Sequence, residues 1–345
     1  MSRRAIRRWI TELTFRAPRP GAAPLDCLWS KGIAQFCDVA GPEDYWLGHT
    51  EAVQPAGFFR AHYAGARGLV WVRLGTAARR GETCDLDLFA RESLPTIRAP
   101  FVLVTTDGDL SVPSELAPET VRSLLASPYL VAWATQNHDG GGGDPRIRAY
   151  PIGLDLHSRR PFASPRRLLG HLARRAGGRR PPELQAPRVF CDLGLGLHSE
   201  ERREAVRVLA GCPHVAVPAK RVSQTEIWRL YAGHPFVLSA VGHGLDCHRT
   251  WEALMLGSIV ITRTSPLDPL FADLPIVIVD DWNAVRDPAN LVRWAERYGP
   301  LTRPEHLRER LRPAHHLAPL RARLAAAGER VPSAEHENGR ASPAI

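Results

Sequence analysis

The chain reads as an α/β protein of two doubly wound, Rossmann-like domains facing a cleft. Three observations predict this. Short apolar runs of strand length alternate with helical patterns in two separate blocks. An arginine-, glycine- and proline-rich stretch divides the blocks near residue 183. Polar residues gather where the apolar runs end, most densely in the second block, and open parallel sheets hold their ligands at such ends.

Composition agrees with this class. At 345 residues the chain is long enough for two ordinary domains. Its 44% hydrophobic and 23% charged residues are usual for a globular protein. No apolar run approaches the roughly 20 residues needed to span a bilayer. The opening MSRRAIRRWITELTF lacks the continuous apolar core of a secretory signal, so the expected location is cytoplasmic. The formal charge of +9 is carried almost wholly by arginine, since lysine occurs only at Lys31 and Lys220. A genomic base-composition skew accounts for most of that bias. The remainder suits an anionic ligand, because arginine grips phosphate in a bidentate fork. Six cysteines without a C-x-x-C pair read as reduced, mostly buried thiols.

The elements follow in order. Residues 1–20 form an arginine-rich lead with Ile6, Trp9, Ile10 and Leu13 at helical spacing, suited to a short amphipathic helix on the parent domain or on an anionic membrane. In the first domain, 21–182, strands are expected at 69–74, 101–106, 129–135 and 150–154, with a helix at 118–127. Arginine pairs between 159 and 180 mark a basic linker containing a helix at 167–175. The second domain, 183–327, begins with a strand at 188–193 and a helix at 199–211 capped by Ser199. A strand at 214–218 and a helix at 224–233 come next, then three strands between 235 and 281, and a helix after Asp287–Pro288. The tail, 328–345, is polar and expected to be disordered.

The segment from Pro235 to Asp281 carries the chemistry. Its first loop meets a short helix at Gly242, Gly244, Asp246, His248, Arg249 and Glu252. Two glycines ahead of a helix allow close backbone approach, and a helix N-terminus attracts phosphate. Arg249 is placed to clamp a diphosphate, and Glu252 to accept hydrogen bonds from ribose or sugar hydroxyls. Plainer roles stand beside these: Asp246 as an N-cap, Arg249 and Glu252 as an exposed helix ion pair, His243 and His248 as surface histidines. A zinc site from His243, Asp246, Cys247 and His248 has the wrong spacing, and a Cys247–His nucleophilic pair has no supporting signature.

The run FVLSAVGHGLDCHRTWEALMLGSIVITRTSPLDPLFADLPIVIV resembles the C-terminal sugar-nucleotide-binding region of exostosin-like glycosyltransferases. Their pattern is F-x-L-S-P-x-G-x-G-x-D-x-H-R-x-W-E-A-L-x-x-G-x-I-P-I-V. FVLVTTDGD, VAWATQN, YPIGLDLH and the helix with Glu201–Arg202 are similar to further parts of that group. The chain departs at Ala240 and Val260, where the pattern has proline, and at His243, where asparagine is common. The resemblance implies a GT-B architecture with an N-terminal acceptor domain and a C-terminal donor domain. It implies an enzyme that transfers a sugar from a nucleotide sugar, UDP-linked, to a glycan or lipid-linked acceptor, with no metal and no other cofactor. Donor contacts are assigned to Ser239, Gly242, Gly244, His248, Arg249 and Glu252. Asp246, Asp107 and His138 are the catalytic candidates, and Asp109 and Asp155 are further bases near expected strand ends. Two alternatives are carried: a metal-dependent transferase using Asp107 and Asp109 as a D-x-D pair, and a non-enzymatic arginine-rich binder of nucleic acid or anionic membrane. Basic runs without interleaved aromatics argue against nucleic acid.

Overall fold

The computed structural model describes residues 3–14, 23–47, 52–158 and 163–329. The tail past residue 329 and Arg159–Arg160 of the basic stretch lie outside the described residues. The first sheet contains β1 (Gly68–Gly75), β2 (Phe101–Gly108), β3 (Leu130–Thr135) and β4 (Ile147–Ala149), all parallel and in chain order. Helices α1 (Arg3–Thr14), α2 (Glu43–Leu47) and α3 (Ala56–Tyr63) precede it. Helix α4 (Asp85–Glu92) joins β1 to β2, and α5 (Pro118–Ala126) joins β2 to β3. The three long strands form where their apolar runs place them.

The fourth strand is displaced. It was expected at 150–154 and forms at Ile147–Ala149. Pro151 has no N–H for the ladder, and Gly153 adopts φ +69°. The 150–154 segment leaves the sheet and meets Trp29 through isolated bridges at Gly153 and Leu154. A side chain at 153 would place its Cβ 2.5 Å from the backbone carbonyl of Leu28, so glycine is required twice over.

The second sheet holds β5 (Val189–Phe190), β6 (Val215–Ala216), β7 (Phe236–Leu238), β8 (Ile259–Arg263) and β9 (Ile276–Val279). All pairs are parallel, in the order β6-β5-β7-β8-β9. Helix α6 (Pro165–Ala176) precedes it, and α7 (Glu200–Val208), α8 (Gln224–Ala232) and α9 (His248–Met255) connect its strands. Helices α10 (Pro288–Tyr298), α11 (Pro304–Arg310) and α12 (Pro313–Gly328) follow. From β5 the chain moves outward to β6, and from β7 it moves the other way to β8. The winding therefore reverses between β5 and β7, and a crevice opens beyond their C-terminal ends. The caps read from the sequence form: Ser199 Oγ accepts from Arg202 N at 3.2 Å, and Asp287 Oδ1 from Ala289 N at 2.9 Å.

Both sheets share one core. Trp71 and Trp133 of the first half and Trp228 and Trp251 of the second are fully buried in a continuous cluster, and a smaller cluster gathers around Phe236 and Trp282. Helix α6 packs on α8 and α9, while α12 returns to pack on β2 and β3. The sequence gives little sign of α12, whose PAHHLAPLRARLAAAG is rich in alanine and carries Pro319 inside the helix. Residue 28 sits where the halves meet: its N–H donates to Leu311 O and its carbonyl accepts from Leu154 N, both at 2.8 Å. In the basic stretch, Arg179 turns inward and donates to Leu256 O, Ser258 Oγ and His234 O. That arginine is structural. Among the described residues no helix is long and apolar enough to cross a membrane.

Gly153→Ala tests the junction. The strained φ and the backbone clash should together lower unfolding free energy by at least about 2 kcal/mol, read by urea denaturation.

Candidate functional site

Beyond β7 the chain runs through Ser239 to Cys247 and enters α9. Arg202 of α7, itself buried, frames this loop. Its Nε donates to Val241 O at 2.8 Å, Nη1 to Gly196 O at 3.0 Å and Nη2 to Ala240 O at 3.4 Å. A Cβ on Gly242 would lie 3.0 Å from Arg202 Nη2, and one on Gly244 would lie 2.7 Å from Asn137 Nδ2. These two glycines thus let the loop close on Arg202 and on Asn137, which follows β3 of the first sheet.

Asp246 joins the same contact. Its carboxylate is buried and accepts from Ile152 N at 2.7 Å, Cys247 N at 2.8 Å and Trp251 Nε1 at 2.9 Å. Its own N–H donates to Asn137 Oδ1 at 2.9 Å. Burial pushes the Asp246 carboxyl up to about 6, opposed by the donors that surround it. Neither the catalytic expectation nor the N-cap reading fits this residue. Both oxygens are occupied, and the N-cap position of α9 belongs to Cys247. Asp246 binds the two halves together.

The first turn of α9 faces outward to the crevice. His248 Nδ1 lies 2.7 Å from the Gly153 carbonyl, which can only accept, so Nδ1 carries the proton. Arg249 Nε lies 2.8 Å from Asp192 Oδ1, just past β5, and Tyr231 Oη donates to Asp192 Oδ2 at 2.9 Å. Burial opposes the Arg249 charge, but Asp192 and its neighbours outweigh it and hold the guanidinium above its ordinary range. Arg249 Nη1 is buried and has no hydrogen-bond acceptor. Glu252, one turn on, is buried and accepts from Gln224 Nε2 at 3.0 Å. The exposed Arg249–Glu252 pair is therefore replaced by two partly buried contacts to other elements.

These groups line a cavity of about 310 Å³ together with Asp155, His198, Arg202 and Arg221. The walls differ in origin. Arg249, Glu252, Arg202 and Arg221 belong to the second sheet's side, and Asp155 comes from the segment after β4. Asp155, His157 and His248 each offer a ligand atom within 4.8 Å of the others. Burial pushes the His157 imidazole down to about 4, with His248 adding to that and Asp155 opposing it.

Of the residues expected in the site, His248, Arg249, Glu252 and Asp155 meet in the cavity. Others do not line it. Ser239 is buried, its Oγ 2.8 Å from Thr250 Oγ1 beneath the helix, so direct donor contact does not fit it. Asp107 pairs with Lys31 at 3.0 Å and adopts φ +61°. Gly108 is fixed by its approach to Gly75, whose carbonyl oxygen would lie 2.2 Å from a Cβ there. Glycine between Asp107 and Asp109 thus has a backbone cause, and among the described residues neither aspartate belongs to a three-ligand group. His138 Nδ1 lies 3.2 Å from Val112 O, in a bridge between two loops. Asp192, Arg221 and Asn137 were missed, because nothing in their local sequence marks the distant residues they meet.

No protein-family model matches the chain, and no curated protein does. Among solved structures it is similar to an α,α-trehalose-phosphate synthase (UDP-forming) from Burkholderia vietnamiensis, at 12% identity and TM-score 0.42, covering 77% of this chain and 78% of that one. A trehalose 6-phosphate synthase from Burkholderia multivorans gives 12% identity and TM-score 0.42 over 84% of this chain and 76% of that one. A spinosyn rhamnosyltransferase complexed with thymidine diphosphate gives 13% identity and TM-score 0.34 over 73% and 72%. Likeness this distant transfers no chemistry to the present chain.

Removing the Asp246 carboxylate leaves three buried donors unpaired, so Asp246→Ala should lose on the order of 3 kcal/mol of stability in urea denaturation. A carboxyl raised in the folded state favours the fold most below its unfolded value. That contribution is lost as pH rises from 3.8 through about 6. In Asp246→Asn the pH dependence of stability across this window should flatten.

Proposed function

We propose that the protein is a glycosyltransferase that moves a sugar from a nucleoside-diphosphate donor to a hydroxyl acceptor. One observation carries this reading: Arg249, partly buried and held by Asp192, lines a cavity at the N-terminus of α9, and its Nη1 has no hydrogen-bond acceptor of its own. An anion entering there meets the guanidinium charge and the positive end of the helix, which offset the cost of its own desolvation. Arg202 and Arg221 raise the positive potential of the same wall.

The donor's diphosphate is assigned to Arg249 and to the first turn of α9. Glu252, held by Gln224, is assigned to the ribose hydroxyls as an acceptor. As the glycosidic bond breaks, charge grows on the departing diphosphate, and a fixed guanidinium stabilises it without reorganising. The leaving group then needs no metal. The acceptor approaches from the wall bearing Asp155, opposite the arginines. The match to the exostosin-like pattern at Gly242, Gly244, His248, Arg249 and Glu252 supports this arrangement. It points to a UDP-linked donor, a glycan or lipid-linked acceptor and a role in polysaccharide synthesis. A cytoplasmic location with peripheral membrane contact accompanies the reading, because α1 exposes Ile6, Trp9 and Leu13 on a helix whose sequence has arginine at positions 3, 4, 7 and 8.

A thermal-shift series with UDP, GDP, ADP, CMP and TDP tests the donor side. One nucleotide should stabilise the protein selectively, and EDTA should leave that shift unchanged. Arg249→Ala should weaken its binding by at least about tenfold, the loss of one or two charged hydrogen bonds. Glu252→Gln should weaken the nucleoside diphosphate while leaving inorganic pyrophosphate unaffected. No shift with any nucleotide would overturn the proposal. Deleting residues 1–14 should abolish sedimentation with anionic liposomes and preserve the nucleotide shift.

A further inference from the structure

Apart from the D-x-D pair, the fold assembles a second ligand set from separate segments. Asp155 and His157 follow β4 of the first sheet, while His248 opens α9 of the second. Each presents a carboxylate oxygen or ring nitrogen within 4.8 Å of those of the other two. Asp155 Oδ1 and His157 Nδ1 are already 3.5 Å apart, close to the edge of a tetrahedron with bonds of about 2.1 Å. The His248 nitrogen, within 4.8 Å of both, must draw in toward that same edge of about 3.4 Å when an ion binds.

The second layer of contacts is that of a ligand. His248 gives its Nδ1 proton to the Gly153 carbonyl, which fixes the tautomer and leaves Nε2 with its lone pair free. His157 Nδ1 is also within 3.3 Å of Ser30 Oγ. The nearest cations do not oppose binding, since Lys31 is paired with Asp107 and Arg249 with Asp192. Asp155 and His248 line the cavity, so an ion held between them has coordination positions open toward it.

We propose that Asp155, His157 and His248 form a site for one divalent transition metal of the zinc class, at the edge of the cavity where the segment after β4 meets the start of α9. Two imidazoles and one carboxylate suit this class of ion and leave room for a solvent molecule or a ligand oxygen. Because the ligands come from both halves of the chain, the ion would also fasten the closed arrangement.

The test uses the full chain, stripped with chelator and dialysed, then titrated with Zn²⁺ by calorimetry and with Co²⁺ by visible absorption. The expected result is one ion per chain and a visible Co²⁺ spectrum with nitrogen ligation. His157→Gln, His248→Ala and Asp155→Asn should each weaken binding by at least about tenfold, while circular dichroism shows the fold retained. His198→Ala and Arg249→Ala should bind Zn²⁺ as the unaltered chain does. Absence of saturable binding would overturn the proposal, as would binding that survives His157→Gln or that follows His198 and His243 at the rim. Nucleotide-induced stabilisation, read on the same stripped protein, reports separately on the donor site.

Discussion

Everything in the cleft depends on one buried carboxylate. Asp246 takes the N–H of Ile152 from the first half and those of Cys247 and Trp251 from the second, while its own N–H goes to Asn137. A charge so placed is expensive unless every lone pair finds a donor. Here they do, and the cost is converted into position. The loop before α9 cannot slide along the first sheet without stripping donors from a group that has no water to replace them. The helix N-terminus is thereby fixed opposite the segment after β4.

The rest of the site inherits its geometry from that contact. With Asp246 anchored, His248 falls against Gly153, and Arg249 points across the crevice to Asp192 at the end of β5. Arg202 holds the loop from behind through the carbonyls of Ala240 and Val241, and ties it to Gly196 before α7, while its charge still adds to the wall. Arg249 has the opposite allocation. One side of its guanidinium is held by Asp192, and Nη1 is left over. The two arginines look alike in sequence and differ only in what surrounds them.

That difference marks what the sequence could and could not tell. Strands β1, β2 and β3 were legible because residues buried on both faces leave long apolar runs, and the Ser199 and Asp287 caps because capping is local chemistry. Arg249 and Glu252 were legible as a pair at a helix start, since a loop after an apolar strand is where ligands bind. Asp246 was misread because a polar residue beside a glycine loop looks exposed, and only the packed fold reveals it as interior. The pairings Arg249–Asp192, Asp246–Asn137 and His248–His157 were invisible for the same reason: each joins segments dozens of residues apart. Helix α12 escaped notice because alanine-rich sequence buries little per turn and so leaves no clear stripe.

The return of α12 to the first sheet has a mechanical consequence. The chain crosses between its halves twice, once after Leu154 and once near Leu311, and both crossings are hydrogen-bonded to the same residue, Leu28. A body on one tether can swivel in any direction. On two tethers side by side it behaves like a door on two pins, with a single axis and one coordinate of opening. Any opening along that coordinate would return the start of α9 to the same place against the opposite wall, where the Asp246 contacts hold it.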